Sequence, residues 1–520
     1  LIDAMHLAKS NDVRVYLTAN TLIKNSEIAE FLEQIKYGYE HGIDAVIIQD
    51  PSFIEIIKKS FPGLEVHLST QTGIMNSAQA NLFDVDRIIL AREIDKKNLE
   101  LLRKNCKIGL EMFVHGALCA CVSGSCLFSS LLGGRSGNRG KCAQPCRKVY
   151  NSSLLISTKE LCLVEKIPEI IKLGINAVKI EGRMRTPYYV ATSVSNYRKA
   201  IDSYYARKFK VTPEMKKQLE SGFTRGFTEG RFSSEDIFNA RQSTGTSKIV
   251  EKVYEVISRF IKPKKRIAKI QLAEVKEKNS SGKKLIARVY SEKDALVADN
   301  YADIICLDMF NKDFEKIKEL VSKPLYAVTP RIMFDEDIIK IKDKLQDLNS
   351  DGLLIGNIGI LSFPISSKIP IVFDYNVNCF NDLQLNYYGK FGKAIISPEL
   401  SSLELEKFKN KDFIAFVHGK IRLMTLAHEI KEGKMRDERG FNFNINKIYN
   451  GAEITNEKEL GLFNKLRSLL HSGINQFYID TEENLEEILK VYRAIIDGKS
   501  LDVSELQKKY VLGWSKQGVL

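Results

Sequence analysis

The sequence contains one strand-like segment twice, and this repetition decides the fold prediction. Residues 108–116 read IGLEMFVHG, and residues 413–419 read FIAFVHG. Two further pairs match in the same order along the chain: LGINAVKIEG (173–182) with SGINQFYIDT (472–481), and STQTGIMNSAQANLF (69–83) with DYNVNCFNDLQLNYY (374–388). Self-similarity at one fixed separation indicates structural repeats, so we predict two copies of one unit.

Short apolar runs alternate with amphipathic segments in the second copy. The eight runs are LIARVY, IICLDM, LYAVTP, GLLIGN, IPIVFDYN, KAIISPEL, FIAFVHG and NQFYID. This alternation is typical of a (β/α)8 barrel. The first copy provides six matching runs, from VRVYLTAN to AVKIEG. We therefore predict an α/β protein with two TIM-like (β/α)8-type barrel repeats, the first lacking its two N-terminal strands.

The repeat divides the chain into three predicted parts. Residues 1–245 form a catalytic barrel with a cysteine-rich insertion, residues 246–284 a basic linker or small hairpin, and residues 285–520 a degenerate second barrel without clustered cysteines. A length of 520 residues agrees with this division, because a single hydrophobic core rarely grows beyond roughly 250–300 residues.

Composition limits the class of protein. Hydrophobic residues make up 44% of the chain and charged residues 28%, and no apolar run reaches the roughly 18 residues of a membrane span, so we exclude an integral membrane protein. A net charge of +13 favours a polyanionic partner such as RNA, or an anionic substrate. Nine cysteines without a secretory pattern predict a cytoplasmic protein whose thiols bind metal or act in catalysis.

Most of the cysteines are clustered in the first copy. Residues 116–147 read GALCACVSGSCLFSSLLGGRSGNRGKCAQPCR, and Cys162 follows soon after. Zinc sites favour CxxC pairs, which the chain lacks, whereas iron–sulfur clusters accept irregularly spaced thiolates. The corresponding stretch of the second copy, KIRLMTLAHEI, contains no cysteine. The fold therefore does not require these thiols, and we expect them to carry chemistry.

Charged residues are predicted at the same rim of the first barrel. The glycine-rich run GGRSGNRGK (133–141) offers backbone N–H groups together with Arg135 and Arg139, which suits phosphate or carboxylate binding. A mobile loop is the alternative, because P-loop spacing is absent. Glu181 and Arg183 follow the strand-like run AVKIEG. They could orient a substrate or form a simple rim salt bridge.

Other predicted strand ends supply further candidates. Asp50, Gln71, Asn76 and Arg92 follow strand-like runs and are predicted to bind substrate at the rim. His115 is a candidate catalytic residue, with a hydrogen-bonded structural histidine as the alternative.

Several motifs together resemble a known family. Glu111 to Cys126 read E-x-F-x-x-G-A-L-C-x4-G-x-C, and GGRSGNRGKCAQPCR, STKELC and KIEGRMRTPYYVA follow. This text resembles the collagenase-like peptidase family U32, and within it the branch that hydroxylates ribosomal RNA cytidine or tRNA uridine in a prephenate-dependent reaction. The resemblance covers most of residues 1–245.

The resemblance implies a cofactor, a reaction and a set of residues. It implies a 4Fe-4S cluster with Cys119, Cys126 and Cys142 as ligands and Cys162 as the fourth, Cys146 being the alternative. It also implies prephenate as a co-substrate, an RNA substrate, and an iron–sulfur assembly or partner protein. Glu181, Arg183 and His115 would then be the catalytic residues.

Two functions follow as alternatives. The first is hydroxylation of a pyrimidine base of ribosomal RNA or tRNA. The second is a collagenase-like peptidase, although the chain offers neither a GxSxG nor an HExxH motif. A cysteine nucleophile with a spatially adjacent histidine stays open.

Overall fold

The computed structural model describes residues 2–222, 225–240, 266–272, 274–365 and 369–520. None of the helices in these ranges is both long enough and apolar enough to cross a membrane.

The first half is built on one curled sheet. Its strands are β1 Tyr16–Ala19, β2 Ala45–Ile48, β3 Glu65–Leu68, β4 Arg87–Ile89, β5 Gly109–Ala117, β6 Glu160–Cys162, β7 Ala177–Ile180 and β8 Phe227–Thr228. Strands β1 to β5 pair in sequence order and β5 then pairs with β7, all in parallel. These six parallel strands are the six runs predicted for the first copy. Strand β2 reads AVII and is buried throughout, as expected for a parallel strand covered on both faces.

Helices connect the strands of the first half and cover their sheet. They are α1 Ile2–Ser10, α2 Ile28–Glu40, α3 Ile54–Ser60, α4 Ser77–Ala80, α5 Lys96–Asn105, α6 Phe128–Gly133, α7 Ile167–Lys172, α8 Pro187–Tyr205 and α9 Pro213–Gly222. Strand β6 was not predicted. It pairs antiparallel with the end of β5 and brings Cys162 opposite His115.

In its described residues, the second half contains thirteen strands in two sheets. They are β9 Lys284–Arg288, β10 Ile304–Asp308, β11 Leu325–Val328, β12 Gly352–Ile355, β13 Ile371–Phe373, β14 Lys393–Ala394, β15 Ala415–Gly419, β16 Arg422–Leu426, β17 Gly433–Arg436, β18 Asn442–Ile448, β19 Gly451–Asn456, β20 Leu460–Gly461 and β21 Gln476–Asp480. The larger sheet has the order β14-β13-β12-β11-β10-β9-β21-β15-β20. All eight runs predicted for the second copy are strands in it, and a parallel bridge between Ile395 and Ile414 extends the pairing beyond β14.

Helices also accompany the second sheet. They are α10 Glu292–Asp299, α11 Phe314–Leu320, α12 Ile338–Asp347, α13 Asp382–Tyr388, α14 Ser402–Glu406, α15 Leu466–His471, α16 Leu485–Ile496 and α17 Ser504–Lys508. Strands β16 to β19 form a separate antiparallel sheet, which the comparison of the two copies within the chain did not predict. Exposed positions interrupt β17 and β18, and the fully buried β16 contains Arg422 and Thr425, so the apolar pattern of this sheet is weak.

Matched hydrogen bonds join the two halves. Asn76 caps α4 and donates from Nδ2 to the Met333 carbonyl at 2.6 Å. Asn381 caps α13 and donates from Nδ2 to the Ile23 carbonyl at 2.9 Å. Each half thus inserts one asparagine-capped helix into the other, and the two contacts are equivalent.

The α/β class is confirmed, with curled parallel sheets in both halves. The finer prediction of two (β/α)8-type barrel repeats stays a prediction, as do the domain boundaries. Much of the predicted linker, residues 246–265 and residue 273, lies outside the described residues. Its described part contacts both halves, because Arg266 donates to the Ile43 carbonyl at 3.1 Å and Lys278 pairs with Asp412 at 2.6 Å.

Candidate functional site

The cysteine segment that follows β5 is held by the second half. The backbone N–H of Val122 donates to the Thr425 carbonyl at 2.8 Å, and that of Leu127 donates to the Leu423 carbonyl at 2.7 Å. Both acceptors lie on β16. The Thr425 N–H in turn donates to the sulfur of Cys121 at 3.3 Å. A half without clustered cysteines therefore positions the thiols of the other half.

Five thiols lie close enough to shift one another's pKa values: Cys119, Cys121, Cys126, Cys142 and Cys146. The four that remain when the fully buried Cys121 is set apart, namely Cys119, Cys126, Cys142 and Cys146, are here called the thiol cluster. Burial raises the pKa of Cys119, Cys142 and Cys146, and the nearby Cys126 raises each of them further. For Cys146 the pKa rises to about 12. Such thiols stay protonated at neutral pH unless a cation or metal compensates their charge.

Cys121 and Cys162 differ from the thiol cluster. Cys121 is fully buried and hydrogen-bonds to Cys126 while its sulfur accepts from Thr425. Cys162 lies on β6 with its sulfur 4.0 Å from the Tyr197 hydroxyl, and its main electrostatic neighbours are Glu165 and Lys216. The structure therefore groups Cys146, and not Cys162, with the other three predicted ligands.

The donor set of the thiol cluster fits an iron–sulfur cluster. Its four thiols are not in disulfides, and iron–sulfur clusters take four thiolates. Within the described ranges, no three Cys, His, Asp or Glu side chains are already spaced to hold a single metal ion. Ligands of a four-iron cluster lie further apart than those of one ion, because each iron takes its own thiolate.

Three predicted rim residues lie together beside the thiol cluster. The Arg92 guanidinium is 3.8 Å from a Glu181 carboxylate oxygen and 3.9 Å from the ring centre of Phe113. Arg183 donates its backbone N–H to Glu181 at 3.2 Å and its Nη2 to the Gly140 carbonyl at 3.2 Å. The positive charge of Arg92 also acts to lower the pKa of Cys119. This arrangement connects the glycine-rich loop, the end of β7 and the thiol cluster.

The two arginines of the glycine-rich loop have different surroundings. Arg139 forms two hydrogen bonds to the Glu27 carboxylate, at 2.6 and 2.9 Å, which anchor the loop. Arg135 is exposed, and its Nε donates to the Lys141 carbonyl at 3.0 Å. Arg135 is thus the loop arginine whose guanidinium faces solvent.

Asp50 and Asn76 lie in the interface between the halves. Asp50 is buried and accepts from Ser52 and from Asn381, the latter at 2.9 Å. Burial raises its pKa to about 6. The Asn76 side chain caps α4 and reaches the other half, as described above. Gln71 lines a cavity between the halves. The structure therefore separates these three residues from Arg92, Glu181 and Arg183.

His115 has the surroundings of a structural residue. It is buried, its Nδ1 lies 3.5 Å from the Tyr197 hydroxyl, and burial lowers its pKa to about 4. His418 lies at the same distance from the Tyr492 hydroxyl in the half without clustered cysteines. Because the arrangement recurs where Gly461, and not a cysteine, lies opposite the histidine, it favours a structural role for His115.

Sequence reasoning missed two features of the site. Glu160 accepts two hydrogen bonds from Arg185, both at 2.8 Å, and one from Arg225 at 3.1 Å, so it anchors the arginine-rich segment after β7. The GRMR motif that contains Arg185 was a usable signal. Thr425 supports the cysteine segment through backbone groups, and backbone contacts leave no signal in side-chain identity.

Three relatives show what this chain is similar to. The tRNA hydroxylation protein P1 of Bacillus subtilis is 33% identical over 242 residues, covering 42% of this chain and 57% of that protein. The collagenase of Porphyromonas gingivalis is 30% identical over 276 residues, covering 48% and 66%. The 23S rRNA 5-hydroxycytidine synthase of Escherichia coli is 32% identical over 204 residues, covering 36% and 31%.

The match concerns the half that contains the thiol cluster. The chain spans less than two thirds of the length of each of these three relatives. The family model described as peptidase family U32 matches residues 1–241, which include all six clustered cysteines and the rim residues. Residues 1–241 therefore match peptidase family U32, as do the relatives that cover this half of the chain.

Proposed function

We propose that this protein hydroxylates a pyrimidine base of tRNA or ribosomal RNA in a reaction that depends on an iron–sulfur cluster. The observation that carries the proposal is the thiol cluster, which lies next to Arg92 at the rim of the first sheet. Two relatives are named for RNA hydroxylation, and a net charge of +13 suits a polyanionic partner.

We assign the cluster ligands to Cys119, Cys126, Cys142 and Cys146. Cys146 takes the place that the motif resemblance gives first to Cys162. The reason is electrostatic proximity: Cys126 and Cys142 both raise the pKa of Cys146, whereas Cys162 has Glu165 and Lys216 as its charged neighbours.

A bound 4Fe-4S cluster would supply electron-transfer chemistry beside the substrate. The other tasks fall to side chains of this chain. Arg183 and the exposed Arg135 can bind the phosphates of RNA or the carboxylates of prephenate, the proposed co-substrate, because a guanidinium forms paired hydrogen bonds to both. Glu181, held by Arg92 and by the Arg183 backbone, can accept a hydrogen bond from the bound RNA backbone or the co-substrate and orient it.

We also propose that the two sheets are repeats of one barrel plan. Tyr197 donates to the Val114 carbonyl at 2.7 Å, and Tyr492 donates to the Val417 carbonyl at 2.8 Å. Each tyrosine lies on the helix that follows the last parallel strand of its half, and each contacts the histidine of the FVHG segment. Repeated buried contacts of this kind support a common ancestor of the two halves.

The experiment that tests the function is mass spectrometry of RNA. The full chain is expressed in a bacterial host from which its own RNA-hydroxylation genes have been deleted. We expect hydroxylated pyrimidines to reappear in tRNA or ribosomal RNA. RNA that stays unmodified, although the purified protein contains iron and sulfide, would contradict the proposal.

The ligand assignment is tested by two matched variants. We expect anaerobically purified Cys146→Ser to lose cluster absorbance, iron and sulfide, because one thiolate is missing. Cys162→Ser should keep all three, and it controls for the effect of replacing a partly buried cysteine. The opposite pattern would return the fourth position to Cys162.

The peptidase alternative rests on the collagenase relative. A cysteine peptidase needs a thiolate, and burial raises the pKa of Cys162, the thiol opposite His115. Burial also keeps His115 neutral, with a pKa of about 4. This pair therefore does not favour a thiolate–imidazolium couple. Gelatin cleavage that is lost in Cys162→Ser while iron content is unchanged would favour the peptidase.

A further inference from the structure

A cavity of about 70 Å³ lies between the two halves, and Arg92, Glu181 and Arg183 are not among its lining residues. Gln49, Gln71 and Val122 of the first half line one side, and Arg331, Asn376 and Asn378 of the second half line the other. The wall at Val122–Ser125 is the chain segment between Cys121 and Cys126. A molecule in this cavity would therefore lie close to the thiol cluster.

Equivalent residues of the two repeats form the walls. Gln71 corresponds to Asn376, and Gln79 corresponds to Gln384, each pair at the same separation in the sequence. The matched Asn76 and Asn381 contacts hold the halves together on either side. The cavity thus exists only because the halves are docked, and neither half could form it alone.

Several amide groups in the cavity have no protein partner. Gln49 is 4% exposed, and neither its Nε2 nor its Oε1 forms a hydrogen bond to any described residue. The Oε1 of Gln71 and the Oδ1 of Asn376 are also buried without a partner in the described ranges. Buried unpaired polar groups cost free energy, and in native structures ordered water or a bound ligand satisfies them.

The charge of the cavity favours a neutral ligand. Arg331 is the cation on its wall, and its Nε donates to Asp374 at 2.8 Å while its Nη2 lies 2.7 Å from the same oxygen. An ion without a counter-charge would pay a large desolvation cost here. Primary amides offer one acceptor and two donors, so they match a ligand edge that carries both kinds of group.

The volume restricts the size of the buried part. A cavity of about 150 Å³ accepts benzene, so about 70 Å³ encloses only one edge of a six-membered ring. Asparagine and glutamine commonly read the hydrogen-bonding edges of nucleobases, and enzymes that modify bases read an extruded base in this way.

We propose that this cavity binds the –CO–NH– edge of a target uracil base, with Gln49, Gln71 and Asn376 as the recognising residues. The identity of the ligand rests on the proposed function. The second half then has a task of its own, because it supplies half of the base-binding site and holds the cysteine segment in place.

The test is binding of free uridine to the full chain, which ligand-observed NMR measures. We expect uridine to bind and 3-methyluridine, in which a methyl group replaces the N3–H of this edge, to bind at least about tenfold more weakly. In Gln49→Leu, uridine binding should weaken by about tenfold or more. The exposed Gln34→Leu, on helix α2, should bind uridine like the parent protein.

Thermal unfolding without ligand separates a binding role from a folding role. Gln49→Leu removes an unpaired buried amide, so its Tm should equal or exceed that of the parent protein. Uridine binding that is undiminished in Gln49→Leu, or equal binding of 3-methyluridine, would overturn the inference while leaving RNA hydroxylation intact. If uridine binds with the expected dependence on N3–H and Gln49 but the protein never modifies RNA, the result would contradict the proposed function and leave the cavity inference standing.

Discussion

The buried hydroxyls of Tyr197 and Tyr492 provide a quantitative test of the repeat. Each donates to the carbonyl of the valine in its FVHG segment and accepts the N–H of a leucine, Leu163 or Leu462, at 3.0 Å. The perturbation is Tyr→Phe at either position, which removes the hydroxyl and keeps the ring. If the halves are repeats, the two variants should lose the same free energy of unfolding.

The magnitude follows from the hydrogen bonds that remain. The Leu163 N–H also donates to the Val114 carbonyl at 2.9 Å, and the Leu462 N–H donates to the Val417 carbonyl at 3.0 Å. Neither group is left without a partner when the hydroxyl is removed. The loss therefore corresponds to one or two net hydrogen bonds, about 1–2 kcal/mol for each variant.

Urea unfolding, monitored by circular dichroism, measures the loss in free energy of unfolding. If the halves unfold together, both variants shift the same transition, and if they unfold separately, each variant shifts the transition of its own half. Tyr188→Phe is the control, because its hydroxyl contacts Ser221 at 3.3 Å on the surface, and we expect a change within about 0.5 kcal/mol. Losses that differ by more than about 1 kcal/mol between Tyr197→Phe and Tyr492→Phe would refute the equivalence.

Two further predictions concern the loop and a histidine. Gly124 has a φ of +89°, and an added Cβ would lie 1.9 Å from the Gln71 carbonyl oxygen, so Gly124→Ala should displace the cysteine segment and lower the iron content. Gly134→Ala, at a φ of +67° with no atom within 4 Å, is the matched control and should retain iron. For His115, burial lowers the pKa from 6.5 to about 4, so the unfolded chain binds a proton at a higher pH than the folded protein. As the pH falls from 6.5 to 4, the free energy of unfolding of the parent protein should decrease by up to about 1.4 kcal/mol per pH unit relative to that of His115→Gln. Urea midpoints at each pH measure this decrease, and parallel pH profiles of the two proteins would contradict it.

The local patterns of the chain were sufficient to predict the parallel strands. Buried parallel strands are continuous apolar runs, and the six runs of the first copy and eight of the second are all strands in the structure. The antiparallel sheet of β16 to β19 was missed because β17 and β18 mix exposed and buried positions and because Arg422 and Thr425 interrupt the apolar run of the buried β16. Strand β6 was missed because three residues carry too little periodicity to be recognised.

The sequence predicted which residue types form the candidate site better than it predicted which of those residues lie together. Clustered cysteines and rim arginines were visible as residue types, and the absence of clustered cysteines from the second copy separated chemistry from folding. Which thiols lie together could not be read from spacing, because the chain between Cys126 and Cys146 folds back through a glycine-rich loop. Asp50 and Asn76 follow strands as rim residues do, yet docking of the second half buries them.

The sequence by itself determined the α/β class, the order of the strands and the half that contains the thiols, since these depend on local periodicity and on residue type. Only the tertiary structure decided that Cys146 joins Cys119, Cys126 and Cys142, that β16 holds the cysteine segment, and that unpaired amides from both halves enclose one cavity. The last two features depend on contacts between residues about 300 positions apart, and such contacts are formed by backbone groups and packing that leave little trace in the order of the amino acids.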